Sequence, residues 1–235
     1  MRFDKCAHSY DANAAPQRAF AARVAGFIQI APGEGVLELG AGTGALTRHL
    51  SVIGGANIHA TDASPAMVSL GRAAIPAVRW SELDAFQGPV PRAELQVSSG
   101  LLQWADEEAC VLRRWKAALV PGGRMVHAVP CEPCLSEWRA IIQESPVRWR
   151  DENGWCRVFA GAGLRVRRRQ FWVDSVVFPS ALDMVGAMHR SGITGRARLG
   201  PGRLRQAMRT YDDRHRGPRG VVATWAWLAV EAVPE

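Results

Sequence analysis

The stretch GVLELGAGTG, residues 35–44, places an apolar run directly before three closely spaced glycines. The run predicts a β-strand, and the glycines predict a tight turn whose backbone can approach a ligand closely. A helix predicted over residues 45–54 would follow and offer unpaired N–H groups to that ligand. A strand, a glycine turn and a helix in this order indicate the first part of a βαβ unit.

The rest of the chain continues the alternation of strands and helices. Further strands are predicted at residues 57–61, 77–80, 93–99, 124–129, within 164–175 and at 221–232. Further helices are predicted from Ser64-Pro65 and over 106–119, 135–144, 180–192 and 201–215. This pattern is typical of an α/β protein with a parallel sheet, and the lack of repeats or a low-complexity linker favours one domain.

The composition is that of a globular protein. The 235 residues are 48% apolar and 22% charged, which excludes a disordered chain and a disulfide-stapled miniprotein. The first twenty residues do not have the pattern of a secretory signal, and the longest apolar run, at 221–230, is too short for a membrane span. We therefore predict a soluble, cytoplasmic protein with no membrane partner.

The five cysteines form no even disulfide framework, which suits a reducing compartment. Cys131 and Cys134 form a CxxC pair, but no second pair or ordered histidine spacing accompanies it. We therefore predict no metal site. The redox alternative is weakly supported because the pair follows a late strand, so two incidental thiols are the favoured interpretation.

Positive charge is concentrated in the second half of the chain. Residues 139–219 carry 17 basic and 7 acidic side chains, whereas residues 1–138 carry 12 and 13. The imbalance indicates an anionic partner or, equally, a solvated basic face. No helix-turn-helix, zinc-finger or RNA-recognition signature accompanies the charge, so we predict no nucleic-acid partner.

The glycine turn alone is ambiguous, because Gly40-x-Gly42-x-x-Ala45 also satisfies the dinucleotide fingerprint of NAD enzymes. Glu38 places a carboxylate just before the glycine turn, where its negative charge would not help to bind a pyrophosphate. The same charge would attract a cationic ligand such as S-adenosylmethionine. Asp62 can accept hydrogen bonds from two ribose hydroxyls, a role that NAD enzymes share. An NAD-dependent oxidoreductase therefore stays an alternative, although no catalytic Tyr/Lys or His pair is evident.

The motifs ELGAGTG (38–44), ATDAS (60–64), LDAF (83–86) and PGG (121–123) together resemble the class I S-adenosylmethionine-dependent methyltransferases. The resemblance implies an α/β, Rossmann-like, seven-stranded sheet of order 3-2-1-4-5-7-6. Its last strand is antiparallel, helices cover both faces, and a helical lid or insertion is added. The implied cofactor is S-adenosylmethionine, with S-adenosylhomocysteine as product. The implied cofactor contacts are Tyr10, Glu38, Gly40, Ala41, Gly42, Gly44, Asp62, Ala63, Asp84, Ala85 and Ser99.

The flanking segments resemble the malonyl-acyl carrier protein O-methyltransferases of biotin synthesis. FDKCAHSYDANAAPQRAF (3–20) is similar to that family's lid helix, VSSGLLQWADE (97–107) to its SSxxLQW stretch, and 178–232 to its insertion and closing strand. Segment 131–163 matches only loosely. The resemblance implies one domain over 1–235, with lid helices (1–30), a cofactor core (31–130), a substrate-side insertion with the sixth strand (131–219) and a closing strand (220–235).

The resemblance implies methyl transfer to the free carboxylate of a malonyl thioester on acyl carrier protein, or of malonyl-CoA. That ester would begin pimelate synthesis. The implied catalytic residues are Tyr10 in the lid, Gln103 near the transfer site and Arg148 on the substrate carboxylate, with Arg150 and Arg157 as alternative arginines. Trp104 and Phe178 are further candidates. Each residue also has a structural alternative, as a surface arginine or as core packing.

The partner implied is an acidic acyl carrier protein, and the enzyme is expected to be a monomer. Nine arginines of the basic segment are candidates for docking the carrier: Arg165, Arg167, Arg168, Arg169, Arg196, Arg198, Arg203, Arg205 and Arg209. Two alternative functions stay open. One is a methyltransferase of the same fold that acts on another small acid or natural product, and the other is a non-catalytic S-adenosylmethionine-binding module.

Overall fold

The computed structural model describes residues 15–53, 55–145, 147–190 and 199–235, with side chains from residue 18 onward. The strands are β1 Gly35–Leu39, β2 Asn57–Asp62, β3 Arg79–Glu82, β4 Ala93–Ser99, β5 Leu119–Pro130, β6 Leu164–Phe178, β7 Arg216–Gly217 and β8 Gly220–Pro234. The helices are α1 Ala15–Phe27, α2 Thr47–Leu50, α3 Pro65–Ala74, α4 Glu108–Ala117, α5 Ser136–Ile142, α6 Glu152–Gly161, α7 Ala181–Arg190 and α8 Pro201–His215. A 3-10 turn covers Leu102–Trp104.

The strands form one sheet of order β3-β2-β1-β4-β5-β8-β6, and the two-residue strand β7 pairs with the start of β8. Strands β1 to β5 pair in parallel, whereas β8 runs antiparallel to both β5 and β6. With β7 set aside, this is the 3-2-1-4-5-7-6 order predicted from the resemblance. The predicted α/β fold with an antiparallel last strand is confirmed.

The central strand β1 is buried on both faces of the sheet. Val36 packs into the core that contains α1, α5, α7 and α8, whereas Leu37 and Leu39 pack into the core under α4 and α6. The residues of such a strand form a continuous apolar run because neither face of the sheet contacts water. Glu38 interrupts the run, so its carboxylate is carried into the interior at the carboxyl end of the strand.

Strands β6 and β8 continue well beyond the end of β5. Pro130, the last residue of β5, pairs with Trp227, whereas β8 begins seven residues earlier, at Gly220. Beyond Pro130, the segment after β5 bonds to this part of β8. The Cys131 N–H donates to the Ala226 carbonyl, and the Leu135 N–H donates to the Thr224 carbonyl. The Tyr211 hydroxyl of α8 donates to the Val222 carbonyl at 2.7 Å. Helix α8 is thereby fixed beside the projecting end of the ribbon.

Several predicted boundaries are wrong. The helix predicted over residues 45–54 is reduced to α2, Thr47–Leu50, because the left-handed Gly44 (φ +95°) and the irregular turn after it delay regular helix. Strand β3 starts two residues later than predicted. Strand β5 starts at Leu119, since a register shift accommodates the predicted PGG turn within the strand. Helix α6 was not predicted.

Within the described ranges, no helix combines the length and the apolar character that a bilayer crossing would require.

A small core lies under the glycine turn, where α3 packs against β3. A Cβ atom added to Gly71 would lie 2.3 Å from Cη2 of the buried Trp80. The Trp80 indole donates to the Ile75 carbonyl at 3.2 Å, which fixes its ring. The close approach of helix and strand therefore depends on the missing side chain at Gly71.

We expect Gly71→Ala to destabilise the protein by about 2 kcal/mol, because overpacking a buried contact displaces the fixed ring. Thermal unfolding should show a melting temperature lower by several degrees. Gly26→Ala is the matched control, since Gly26 also lies in a helix and an added Cβ would meet nothing within 4 Å. Equal melting temperatures of the Gly71→Ala protein and the wild type would contradict this packing.

Candidate active site

The loops that follow the parallel strands meet along one edge of the sheet. The Ala41 N–H after β1 donates to the Thr61 carbonyl in β2 at 2.8 Å, and the Leu83 N–H donates to the Asp62 carbonyl at 2.9 Å. The Gly100 N–H after β4 donates to the Ala128 carbonyl in β5 at 2.9 Å. Open α/β sheets bind ligands at this carboxyl edge. The edge is therefore the candidate active site.

The glycine turn is tightly packed at its ends and open in its middle. Gly40 and Gly44 both have positive φ, and a Cβ atom at either would lie 2.8 Å from a side-chain carbon, of Leu101 and Ile75 respectively. Gly42 also has positive φ, but an added Cβ would meet nothing within 4 Å. The turn therefore presents bare backbone to open space at Gly42, where a ligand can approach closely.

The Asp62 carboxylate holds the turn in place. Its Oδ2 accepts the Gly42 N–H at 2.9 Å, and its Oδ1 accepts the Ser64 N–H at 2.9 Å. Ser64 in turn caps α3, since its hydroxyl accepts the Met67 N–H. The half-buried Ala63 lies between these two bonded residues. The ends of β1 and β2 and the start of α3 thus form one bonded unit.

Glu38 is a buried carboxylate at the base of the turn, with 2% of its surface exposed. The Thr47 hydroxyl donates to its Oε2 at 2.7 Å, and the Thr61 hydroxyl donates to its backbone carbonyl at 2.8 Å. The pKa of Glu38 is raised to about 7, mainly by burial and also by the nearby Asp62, although the Thr47 hydrogen bond opposes the rise. A cation placed beside it would favour the ionised form.

The segment after β3 is a turn that Asp84 stabilises. Its Oδ1 accepts the Phe86 N–H at 2.9 Å and the Gln87 N–H at 3.2 Å. Ala85 is buried, and its carbonyl accepts the Trp115 indole N–H at 2.8 Å. Asp84 is half-buried, and its carboxylate is held by the N–H groups of its own turn.

Two predicted residues after β4 lie at the same edge. Ser99 is half-buried at the end of the strand, and Gln103 is 9% exposed in the 3-10 turn. The Gln103 Nε2 donates to the Gly100 carbonyl at 2.7 Å, which fixes the amide because a carbonyl can only accept. Leu101 packs on Gly40 and so joins this turn to the glycine turn.

The arginine candidates gather around a buried glutamate. Glu108, at the start of α4, is 4% exposed, and Arg150 donates to both of its carboxylate oxygens at 3.1 and 3.2 Å. Arg148 reaches the same carboxylate at 3.7 Å, with 60% of its side chain exposed. Arg150 is only 22% exposed and also lies over the Trp155 ring. Arg157 is exposed on α6.

The structure brings together only part of the predicted site. Glu38, Asp62 and the glycine turn form one cluster, and Gln103 joins it through Leu101. Among the described residues, no hydrogen bond or ion pair joins Arg148 to this cluster. Phe178 is half-buried against the apolar core at the end of β6. Tyr10 lies outside the described residues.

Sequence reasoning missed Thr47 and Glu108. Thr47 lies nine residues after Glu38, and no local pattern shows that the two side chains bond. Glu108 lies in a run of three acidic residues, 106–108, that indicates a helix start but not which side chain is buried. Both roles arise only from tertiary contacts.

The remaining chemistry of the described residues is limited. Cys131 and Cys134 are buried, and burial raises the pKa of each thiol to about 12, so neither is a thiolate near neutral pH. No group of three or more potential ligand side chains is placed to hold a metal ion in the described ranges. A cavity of about 360 Å³ opens between α5 and α8, and no predicted cofactor or catalytic residue lines it.

Comparison with known proteins identifies the family. The family described as "Methyltransferase domain" matches residues 36–123, which include the glycine turn and Glu108. A malonyl-[acyl-carrier protein] O-methyltransferase of Serratia marcescens is 31% identical over 212 residues, covering 84% of this chain and 83% of the relative. A trans-aconitate 2-methyltransferase of Paracidovorax citrulli is 32% identical over 126 residues, covering 51% of this chain and 48% of the relative.

The fold is shared with solved methyltransferase structures. The crystal structure of a putative methyltransferase from Bacillus halodurans C-125 superposes with a TM-score of 0.70 at 13% identity. The superposition covers 92% of this chain and 100% of the Bacillus halodurans chain. The glycine turn, the buried Glu38 and the strand order agree with these similarities, and the chain belongs to the class I S-adenosylmethionine-dependent methyltransferases.

Proposed function

We propose that this methyltransferase acts on the free carboxylate of a malonyl thioester carried by acyl carrier protein, or of malonyl-CoA. The observation that carries the proposal is the similarity to the Serratia marcescens relative, which extends over 84% of this chain. Its name describes the same reaction. The product would be the malonyl methyl ester, the starting unit for pimelate and hence for biotin.

The cluster at the carboxyl edge fits the cofactor. We infer that the open backbone at Gly42 lies against S-adenosylmethionine and that the Glu38 carboxylate balances its positive charge. The Asp62 carboxylate, which accepts the N–H groups of Gly42 and Ser64, would also accept hydrogen bonds from the ribose hydroxyls. Asp84 and Ala85 would line the adenine, and Ser99 would lie beside the transfer site. Tyr10 stays a prediction for the lid.

The acceptor chemistry needs no general base. A malonyl carboxylate, like an aspartate or glutamate side chain, is ionised at neutral pH and already nucleophilic. When bound, S-adenosylmethionine supplies an electrophilic methyl group, and its transfer to a carboxylate oxygen yields the ester and S-adenosylhomocysteine. The task of the protein is then to orient the carboxylate and to exclude water. This fits a cluster in which Gln103 is fixed by a backbone carbonyl.

Arg148 is the arginine that fits the substrate carboxylate best. Arg150 is held at Glu108, since its Nη2 donates to both carboxylate oxygens and its guanidinium lies over Trp155. Arg148 meets Glu108 only at 3.7 Å and is 60% exposed, so its guanidinium keeps donors that face solvent. Paired N–H groups of an arginine match a carboxylate in geometry and in charge. We therefore assign the substrate clamp to Arg148.

A second acceptor class has an observation in its favour. The Paracidovorax citrulli relative is named for trans-aconitate, a small polycarboxylate, and is 32% identical over about half of this chain. A free small acid would use the same arginine but would need no carrier protein. The two possibilities separate in one assay, because only one of them depends on the carrier.

We expect methyl transfer from S-adenosylmethionine to malonyl-acyl carrier protein to exceed transfer to trans-aconitate, and to be absent for acetyl-carrier and free carrier. Arg148→Ala should lower kcat/KM by about 10- to 100-fold, the range for a lost charge-assisted hydrogen bond. Radiolabelled methyl incorporation measures both. Arg92→Ala, which removes an exposed arginine elsewhere, should leave the rate unchanged. Label on trans-aconitate alone would support the small-acid alternative.

The raised pKa of Glu38 predicts that cofactor affinity depends on pH. Below about pH 7 the carboxyl takes up a proton and can no longer balance a cation. The affinity for S-adenosylhomocysteine, whose ammonium stays charged from pH 6 to 8, should be about tenfold weaker at pH 6 than at pH 8. Calorimetric titration measures this ratio.

Two variants test the assignment of that titration to Glu38. Glu38→Gln should bind weakly and equally at both pH values. Thr47→Val removes the hydroxyl that lowers the pKa of Glu38, so the midpoint should move to higher pH. A wild-type affinity that does not change between pH 6 and 8 would rule out a role for Glu38 in charge balance.

A further inference from the structure

The candidate docking arginines of the basic segment, residues 139–219, lie in two separate parts of the fold. Four of its arginines lie near the start of β6, at residues 165–169, and a second group lies on or just after α8. The members of the second group are Arg203, Arg205, Arg209, Arg214, Arg216 and Arg219. Arg196 and Arg198 lie outside the described residues. The position of each group decides which of them a carrier protein can use.

The β6 arginines do not project beyond the carboxyl edge of the parallel strands. β6 runs parallel to β5, and its Trp172 is level with Pro130, the last residue of β5, because both pair with Trp227. Arg165 precedes Trp172 by seven residues, about 20 Å along the strand. Followed through β8, β5 and β4, the pairing places Val166 level with Leu37 and Arg168 level with Glu38, four strands away on the edge of the sheet. The group therefore lies beside the body of the sheet and does not project past the glycine turn.

Helix α8 lies on the side of the active site. The Tyr211 hydroxyl bonds the carbonyl of Val222, which is five residues, about 16 Å, beyond Trp227 in the direction of the carboxyl edge. Arg209 is two residues from Tyr211 on the same helix. The α8 arginines are thus placed beyond the edge at which methyl transfer would occur.

Both groups contain arginines whose charge is neutralised by an ion pair and arginines that have no such partner. In the β6 group, Arg168 pairs with Glu231 at 2.8 Å and Arg169 with Glu152 at 3.5 Å. In the α8 group, Arg203 pairs with Glu144 and Arg216 with Asp212. Within the part of the chain that the structure describes, Arg205 and Arg209 are exposed and have no ion pair or hydrogen bond. The same is true of Arg165 and Arg167.

We propose that the exposed face of α8, with Arg205 and Arg209 one turn apart, is the surface on which the acidic acyl carrier protein docks, and that the β6 arginines take no part. The inference rests on the proposed function. The thioester hangs from its carrier on an arm of fixed length, so the carrier must dock on the side of the sheet where the carboxylate reacts. Complementary charge would raise the encounter rate and fix the orientation of the carrier.

The pairs of unbonded arginines provide matched variants. Arg205→Glu/Arg209→Glu and Arg165→Glu/Arg167→Glu make the same change in net charge, and each changes two exposed side chains. Both proteins are assayed for methyl transfer to malonyl-acyl carrier protein and to malonyl-N-acetylcysteamine, a malonyl thioester without a carrier. Affinity for S-adenosylhomocysteine and the melting temperature confirm that both variants are folded.

We expect the α8 variant to raise KM for malonyl-carrier by about tenfold or more, with kcat and the reaction of the small thioester unchanged. Added salt should raise KM of the wild type but have little effect on the α8 variant. The β6 variant should stay within about twofold of the wild type throughout. If the α8 variant is unstable, Arg205→Gln/Arg209→Gln should give a smaller rise in KM of the same kind.

The outcomes separate the two proposals. Equal effects of the two variants, or a larger effect of the β6 variant, would overturn α8 as the docking surface while the proposed reaction stands. A wild-type protein that binds S-adenosylhomocysteine but does not methylate malonyl-carrier would overturn the proposed function and the docking proposal with it.

Discussion

The hydrogen bonds between the Asp62 carboxylate and the N–H groups of Gly42 and Ser64 are the contact on which the active site depends. They fix the glycine turn to the end of β2 and, through the Ser64 cap, to the start of α3. Helix α3 then packs on β3 through Gly71 and Trp80. One carboxylate thereby joins two connections at the carboxyl edge, the glycine turn after β1 and the turn between β2 and α3.

The burial of the Glu38 carboxylate supports the proposal that Glu38 faces a cationic ligand. An ionised carboxylate at this depth costs free energy, and a single hydroxyl from Thr47 compensates only part of it. The nearby Asp62 increases the cost, as the direction of its effect on the pKa of Glu38 shows. Local rules of stability are commonly broken at functional sites, where the cost is recovered on binding. Under the proposed function, the positive charge of S-adenosylmethionine would compensate the cost of burying Glu38.

The sequence predicted best the elements whose signals are local. Strand β4 has its predicted bounds, and α8 was placed by the proline and glycine at its start. The helix predicted over residues 45–54 is too long because the apolar spacing there is helical, whereas the left-handed Gly44 starts a turn. Helix α6 had a usable signal, since Asp151 accepts the Gly154 N–H as an N-cap before Trp155 and Phe159. The contacts of Glu108 with Arg148 and Arg150 gave no local sequence signal, because they join residues about forty positions apart.

Glu108 connects the matched methyltransferase domain with the segment that follows it. It lies within residues 36–123, which match the methyltransferase domain, whereas Arg148 and Arg150 lie after the matched residues. A buried carboxylate without a cationic partner would be strongly unfavourable, so Glu108 requires at least one guanidinium from the segment that follows. Arg150 meets that requirement, being the less exposed of the two and bonded to both oxygens. Arg148 meets the same carboxylate only at 3.7 Å, and under the proposed function its guanidinium would bind the acidic acceptor.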